Sequence, residues 1–175
     1  MKIITTHKNS DFDALASLVA ANVIYPEARA VLPTSINENL KAFLSIHKDL
    51  FNLYSPKEIT IDHVNTLILV DTHSWGRLEG MKALKDKEDL NVIIWDHHMQ
   101  GDIRGETENI RETGATVTML IQEIEKQRKL ITPIQATLFL MGLYEDTGNL
   151  TFPSTLSEDA HAAGFLLDRK ADLYI

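Results

Sequence analysis

Short apolar runs alternate along the chain with apolar residues at helical spacing. Residues 2–6 have the pattern of a short buried strand. Residues 13–23 carry Leu15, Leu18, Val19 and Val23 at helix spacing, and Pro26 ends that helix. Residues 30–32 predict a second short strand. Residues 36–45 predict a helix with Leu40, Phe43 and Leu44 on one face, and residues 59–61 an edge strand. Residues 67–70 and 91–95 are continuous apolar runs, each followed by an aspartate, with a crossover helix predicted over 78–84. Residues 117–127 and 133–144 predict helices, the second opening with proline at its favoured first position. A last helix is predicted over 157–167, with Ser157 as N-cap and Ala160 third in the helix.

Apolar runs without polar alternation suit a parallel sheet covered on both faces. The expected class is therefore α/β, a mainly parallel sheet with helices on both faces, in a single domain over residues 1–175. No repeat or linker interrupts the pattern. The chain ends on the apolar stretch 171–175, so a piece of a longer multidomain protein is the expectation.

Three polar clusters follow the three apolar strands: His7 to Asp13, Asp71, and Asp96-His97-His98. In a parallel sheet all the strand C-termini lie on one edge, where open α/β sheets build their ligand sites. Alternate residues of extended chain point the same way. His7, Asp11 and Asp13 can thus offer one nitrogen and two carboxylates; capping of the next helix by Asp11 or Asp13, with His7 incidental, is the other reading. Asp71 reads as a ligand or as a cap. The adjacent His97 and His98 cannot both point the same way, so one can ligate while the other faces a substrate; a plain polar loop is the alternative. In the fourth cluster, residues 142–149, Gly148 suits a left-handed helix cap, and Asp146 rather than Glu145 is favoured as a ligand.

The set His7, Asp11, Asp13, Asp71, His97 and Asp146 is all nitrogen and oxygen. Without thiolates it suits Mn²⁺ first, with Mg²⁺, Co²⁺ or Fe²⁺ as alternatives, better than structural Zn²⁺. Six ligands exceed the needs of one catalytic ion with open positions. A carboxylate bridging two ions about 3.5–4 Å apart uses them well, activating a bridging hydroxide and clamping phosphoryl oxygens. The expected chemistry is metal-assisted hydrolysis of a phosphate ester or anhydride.

Composition narrows this further. The formal charge of −8 argues against a surface that coats long nucleic acid. The absence of cysteine removes disulfides, zinc ribbons and a thiolate nucleophile, which fits a cytoplasmic protein. No apolar run approaches the roughly 20 residues of a membrane span, and the apolar run at the start is too short for a signal peptide.

His7-Lys8-Asn9-Ser10-Asp11-Phe12-Asp13, Asp71-Thr72, Asp96-His97-His98 and Gly142 to Gly148 with Asp146-Thr147 resemble, in order, the four motifs of the DHH phosphoesterase family. That family includes RecJ-type exonucleases, oligoribonucleases, cyclic-dinucleotide phosphodiesterases and family II pyrophosphatases. The wording around 71–79 and 145–153 looks most like the amino-terminal module of bacterial proteins that join a DHH module to CBS domains and a poly(A) polymerase or tRNA nucleotidyltransferase-like module. The resemblance implies that His7, Asp11 and Asp71 hold one ion, and that Asp13, Asp71, His97 and Asp146 hold the other, with Asp71 bridging. It implies that His98 faces the phosphate or leaving oxygen and that Asp96 orients the histidines, which makes these two the candidate catalytic pair. Residues 114–116 resemble a segment near the site, which puts Thr116 either at the substrate or at a helix N-cap. A second, smaller substrate-binding domain usual in the family has no counterpart before Ile175.

Asn9 and Arg77 are further candidate substrate contacts, with a surface ion pair the other reading of Arg77. His73 stands close enough to Asp71 to reach the site or to lie outside it. Trp75 reads as packing, with base stacking a minor option. His47, His63 and His161 read as surface or capping residues, and residues 126–129 as a basic helix end. The leading function is a two-metal phosphodiesterase for short single-stranded RNA or dinucleotides. A pyrophosphatase, polyphosphatase or phosphate monoesterase is the close alternative. A metal- or nucleotide-binding regulatory module of an RNA nucleotidyltransferase is the alternative of another class. No membrane partner is expected, and an oligomer is left open.

Overall fold

The apolar runs at 2–6, 30–32, 67–70 and 91–95 fall on strands of one sheet. The computed structural model describes residues 1–172 and 174. The strands are β1 (Lys2–Thr5), β2 (Arg29–Val31), β3 (Leu53–Tyr54), β4 (Thr66–Val70), β5 (Asn91–Asp96) and β6 (Thr107–Ile110). They lie in the order β3-β2-β1-β4-β5-β6, and every pairing is parallel. The winding reverses between β1 and β4. An open parallel sheet leaves its ligand crevice outside the strand C-termini at such a reversal. His7 lies two residues beyond β1 and Asp71 immediately beyond β4, so the topology alone brings them to the same crevice.

The α-helices are α1 (Phe12–Ile24), α2 (Glu38–His47), α3 (Thr116–Lys126), α4 (Pro133–Thr147) and α5 (Ser157–Asp168). Side chains alternate between the faces of a strand, and the core divides accordingly. Ile4, Ile68, Val70 and Trp95 join the α-helices in one apolar cluster. Ile3, Leu67, Leu69, Val92 and Ile94 join Ile59, Leu78, Met81 and Leu84 in the other. The second face is thus covered by short 3-10 helices, at Pro56–Glu58, Ile61–His63, Trp75–Arg77 and Lys82–Leu84. No helix of the described residues is long and apolar enough to cross a membrane.

Several local expectations are corrected. No continuous helix spans 78–84: Gly80 takes φ +71 between two 3-10 turns, and Leu78, Met81 and Leu84 reach the sheet at a spacing of three. Residues 59–61 form no strand. A capped turn at Ser55–Glu58 redirects the chain, Ile59 packs beneath the sheet, and Leu53–Tyr54 is the edge. β6 escaped the hydrophobic pattern because Thr107–Ile110 is mostly polar. Ser157 is the first residue of α5 rather than its N-cap, so Asp159, not Ala160, is third; its carboxylate accepts from the Leu156 N–H at 2.7 Å. Ala115, not Thr116, precedes α3. α4 runs on to Thr147, where Gly148 closes it in the left-handed conformation (φ 55°). The expected apolar end at 171–175 falls partly outside the described residues, since 173 and 175 are not among them.

α4 crosses α1 at a point where only glycine fits. A Cβ on Gly142 would lie 2.7 Å from Ala16 Cβ and 2.8 Å from the Phe12 carbonyl oxygen. This close approach delivers Asp146, one turn further along α4, to the start of α1. Alanine normally stabilises a helix by about 1 kcal/mol over glycine. Here Gly142→Ala is expected to destabilise the protein by about 1–3 kcal/mol in chemical denaturation, because overpacking outweighs propensity. A stabilised variant would contradict the close crossing.

Candidate metal centre

Four loops meet at the sheet edge, each fixed by its own backbone chemistry. After β1, Asn9 turns the chain at φ 59°, held by the Ser35 hydroxyl on its side-chain oxygen and by its N–H on the Ser35 carbonyl at 2.8 Å. Asp11 then caps α1, accepting from the Ala14 N–H at 3.0 Å. Asp13, fully buried, serves a different helix: it accepts from the Thr116 N–H at 2.7 Å and the Val117 N–H at 3.0 Å, at the start of α3. Glu145 accepts from the Phe12 N–H at 2.6 Å, so it too caps α1. Asp71 leaves β4 in the left-handed region (φ 58°), a conformation aspartate tolerates better than most residues, while its N–H donates to the Trp95 carbonyl at 2.9 Å.

Asp71 stands at the centre. One carboxylate oxygen is 3.1 Å from His7 Nε2. The other accepts from the Thr116 hydroxyl at 2.9 Å and lies 3.5 Å from His97 Nε2 and 3.7 Å from His98 Nδ1. His97 Nε2 is also 3.5 Å from Asp146. Three overlapping groups result, each with its potential ligand atoms within 4.8 Å of one another: His7, Asp11 and Asp71; Asp13, His97 and Asp146; Asp71, His97 and His98.

The ring orientations also suit cation binding. His7 donates from Nδ1 to the Lys8 carbonyl at 2.8 Å, and His97 from Nδ1 to the Thr113 carbonyl at 3.1 Å. Both therefore turn Nε2 toward the carboxylates, as metal-ligating histidines do. His98 differs: its Nδ1 faces Asp96 at 2.7 Å, and its side chain is 45% exposed. It lines a cleft of about 460 Å³ with Thr72, Ser74, Arg77, Asp96, Met99 and Gln100.

The electrostatics point the same way. Burial, then the charges of Asp71, Asp11 and Glu145, push Asp146 up to about 7. Burial, then Asp71 and Asp146, hold Asp13 well above the usual carboxylate range. Burial alone would lower His7, but the Asp71 carboxylate beside it raises it. The bond to Asp96 raises His98. Asp96 itself is lowered: burial opposes its charge, but donors from His98 and His73 outweigh burial. A cluster that retains protons for lack of positive charge, with only nitrogen and oxygen donors, fits divalent cations.

Of the residues singled out in the sequence, His7, Asp11, Asp13, Asp71, His97, His98 and Asp146 converge here. Asp96 lies behind them, fully buried between two histidines. Arg77 is exposed on the cleft wall, and Asn9 lies on the loop before α1. Thr116 lies inside the site: its hydroxyl accepts from the His97 N–H at 3.2 Å while donating to Asp71. His73 belongs to the site's support, 2.5 Å from Asp96. Its signal was its closeness to Asp71 in the sequence. Asp159 had no such signal: fully buried, it accepts from the Gly114 N–H at 3.1 Å and the Thr118 hydroxyl at 2.6 Å, fixing the approach to α3. His47, by contrast, packs on Phe43, and Trp75 on the second core cluster.

A family model described as the DHH family, N-terminal domain, matches residues 2–143. The chain is 38% identical to an A-adding tRNA nucleotidyltransferase of Geobacter sulfurreducens, over all of this chain and 20% of that protein. It is 25% identical to a bifunctional oligoribonuclease and PAP phosphatase, NrnA, of Mycoplasma genitalium, over 99% of this chain and 54% of that one. It thus spans about a fifth and about half of those two relatives. An exopolyphosphatase-related protein from Bacteroides fragilis shares the fold, with a TM-score of 0.79 at 18% identity, over 97% of this chain and 53% of that chain.

The raised groups make stability depend on pH with a definite sign. Asp13, Asp146, His7 and His98 hold protons more tightly folded than unfolded, so they stabilise the metal-free fold at low pH and lose that contribution as pH rises through their folded values. Asp96 acts oppositely, but only in acid. In chelator, Tm is expected to fall from about pH 5 to about pH 8, and Mn²⁺ to raise it most at the upper end. A flat Tm profile with no response to divalent ions would contradict the cluster.

Proposed function

The chain belongs to the DHH family, and on that premise we propose that it is a divalent-metal-dependent phosphoesterase acting on short single-stranded RNA or dinucleotides. The observation that carries this reading is the placement of Asp71. One of its oxygens serves the His7–Asp11 group and the other the His97 side, which is the arrangement a bridging carboxylate needs. His7, Asp11 and Asp71 would hold one ion; Asp13, Asp71, His97 and Asp146 would hold the second. Mn²⁺ is the preferred ion, with Mg²⁺ or Co²⁺ as alternatives. When bound, the two ions supply Lewis acidity for water and for phosphoryl oxygens.

The chain's own residues supply the rest. His98, held through Nδ1 by Asp96, offers its other nitrogen to the cleft, where its imidazolium form, favoured by the bond to Asp96, would give the Nε2 proton to the leaving oxygen and become neutral. Arg77 and Ser74 line that cleft, and the Arg77 guanidinium suits the non-reacting phosphate oxygens. A cleft of about 460 Å³ suits a nucleotide-sized group, and the charge of −8 disfavours long polyanions. The name of the Mycoplasma relative, an oligoribonuclease and PAP phosphatase, supports phosphate-ester chemistry on short RNA. A purely regulatory module would have no use for complete ligand groups on both sides of Asp71.

The test is a panel of a short oligoribonucleotide, a cyclic dinucleotide, pyrophosphate and a phosphate monoester, each with Mn²⁺. The oligoribonucleotide or dinucleotide is expected to turn over fastest. Asp71→Asn should lose at least one bound ion and roughly 100-fold or more in rate, since even residues that merely support metal ligands cost about 10–100-fold. Faster turnover of pyrophosphate would move the reading to a pyrophosphatase. Full metal content and activity in Asp71→Asn would overturn it.

A further inference from the structure

Behind His98, two side chains, Asp96 and His73, lead away from the cleft. His98 turns Nδ1 to Asp96 Oδ1 at 2.7 Å, and its backbone N–H donates to the same oxygen at 3.0 Å. The other oxygen of Asp96 lies 2.5 Å from Nδ1 of His73. An ionised carboxylate only accepts, so both imidazoles carry a proton on Nδ1, and Nε2 of His98 is left free to take up the second proton that the imidazolium gives to the leaving oxygen. The side chains of His73 and Asp96 are each 1% exposed, so no solvent competes for that bond.

His73 is itself clamped. A Cβ on Gly101 would lie 2.0 Å from its ring, and the Ile103 N–H donates to its carbonyl at 3.0 Å. Residue 101 is therefore glycine for the sake of the imidazole against it. The segment after the Asp96-His97-His98 triplet folds back to press His73 onto Asp96.

We propose that His73 is a positioning residue: by donating to Asp96 it fixes the tautomer and aim of His98. The proposal rests on the reading of His98 as the group that meets the leaving oxygen. Without His73, one oxygen of a buried carboxylate has no donor, and buried acceptors do not stay unpaired cheaply. Asp96 then turns to find another partner, and His98 loses its anchor. Asp71, 3.7 Å from His98 Nδ1, is the competing partner.

Three variants separate this role from a general packing role. His73→Leu removes the donor, and kcat is expected to fall roughly 10–100-fold while KM and bound metal stay within about twofold. His73→Asn places an amide nitrogen near the position of Nδ1 and should restore most of the rate. Gly101→Ala leaves every polar group in place but displaces the His73 ring, and should reproduce the His73→Leu defect. A second readout needs no turnover: ¹⁵N NMR of the imidazoles in the metal-free chain, at alkaline pH, should show His98 with its proton on Nδ1 in the parent and mixed tautomers in His73→Leu. Unchanged kcat and an unchanged His98 spectrum in His73→Leu overturn the proposal. Loss of bound metal in that variant also overturns it, since His73 would then be supporting the ions. If the parent chain hydrolyses no phosphoester, it is the functional reading that fails, and the NMR comparison still decides the positioning role.

Discussion

Four carboxylates held together at one sheet edge are the constraint on which the structure depends. Asp11, Asp13, Asp71 and Asp146 crowd against one another, and burial together with the charges of their neighbours raises Asp13 and Asp146. Like charges at such range are tolerated only if protons or cations neutralise them. The surrounding fold supplies partial relief. The amide groups at the start of α3 meet Asp13, and the Thr116 hydroxyl meets Asp71. Partial positive charge at a helix N-terminus stabilises an anion by about 0.3–1 kcal/mol in exposed sites and by more when buried. That leaves most of the repulsion in place, which is why the cluster reads as a cation site rather than as a structural network.

The sheet topology makes this crowding possible. All six strands of the described residues are parallel, so their C-termini share an edge, and the reversal between β1 and β4 leaves a gap there. β1 and β4 bring His7 and Asp71, β5 brings Asp96 and its two histidines, and the Gly142 crossing brings Asp146 from the far side. The α-helices pack on one face with Ile4, Ile68 and Trp95, while short 3-10 turns seal the other. Hydrophobic burial therefore holds the frame, and the frame holds the charges.

How much of this was legible in the sequence depended on the range of the interaction. Strand-end positions such as Asp71 and Asp96 were readable because an apolar run followed by an acid is a local pattern, and the parallel topology does the converging. The left-handed cap at Gly148 was readable for the same reason. The partners of Asp13 and Glu145 were not readable: Asp13 meets amides more than a hundred residues away, and Glu145 caps a helix from the opposite end of the chain. Asp11 does what local capping rules expect and still stands in the His7 group, so its capping role does not remove it from that group. The polar edge strand β6 and the broken turns over 75–84 left little trace in hydrophobic period, because an edge can be polar and because a spacing of three serves a 3-10 turn as well as a helix.

The central claim is that positive charge completes the cluster. The most direct measurement is a calorimetric titration of the metal-free chain with Mn²⁺ near pH 6, repeated in buffers of different ionisation enthalpy to count the protons released. The account predicts two binding events with net proton release, because ions displace protons held on Asp146, Asp13 and His7. Binding without proton release, or no binding at all, would contradict it.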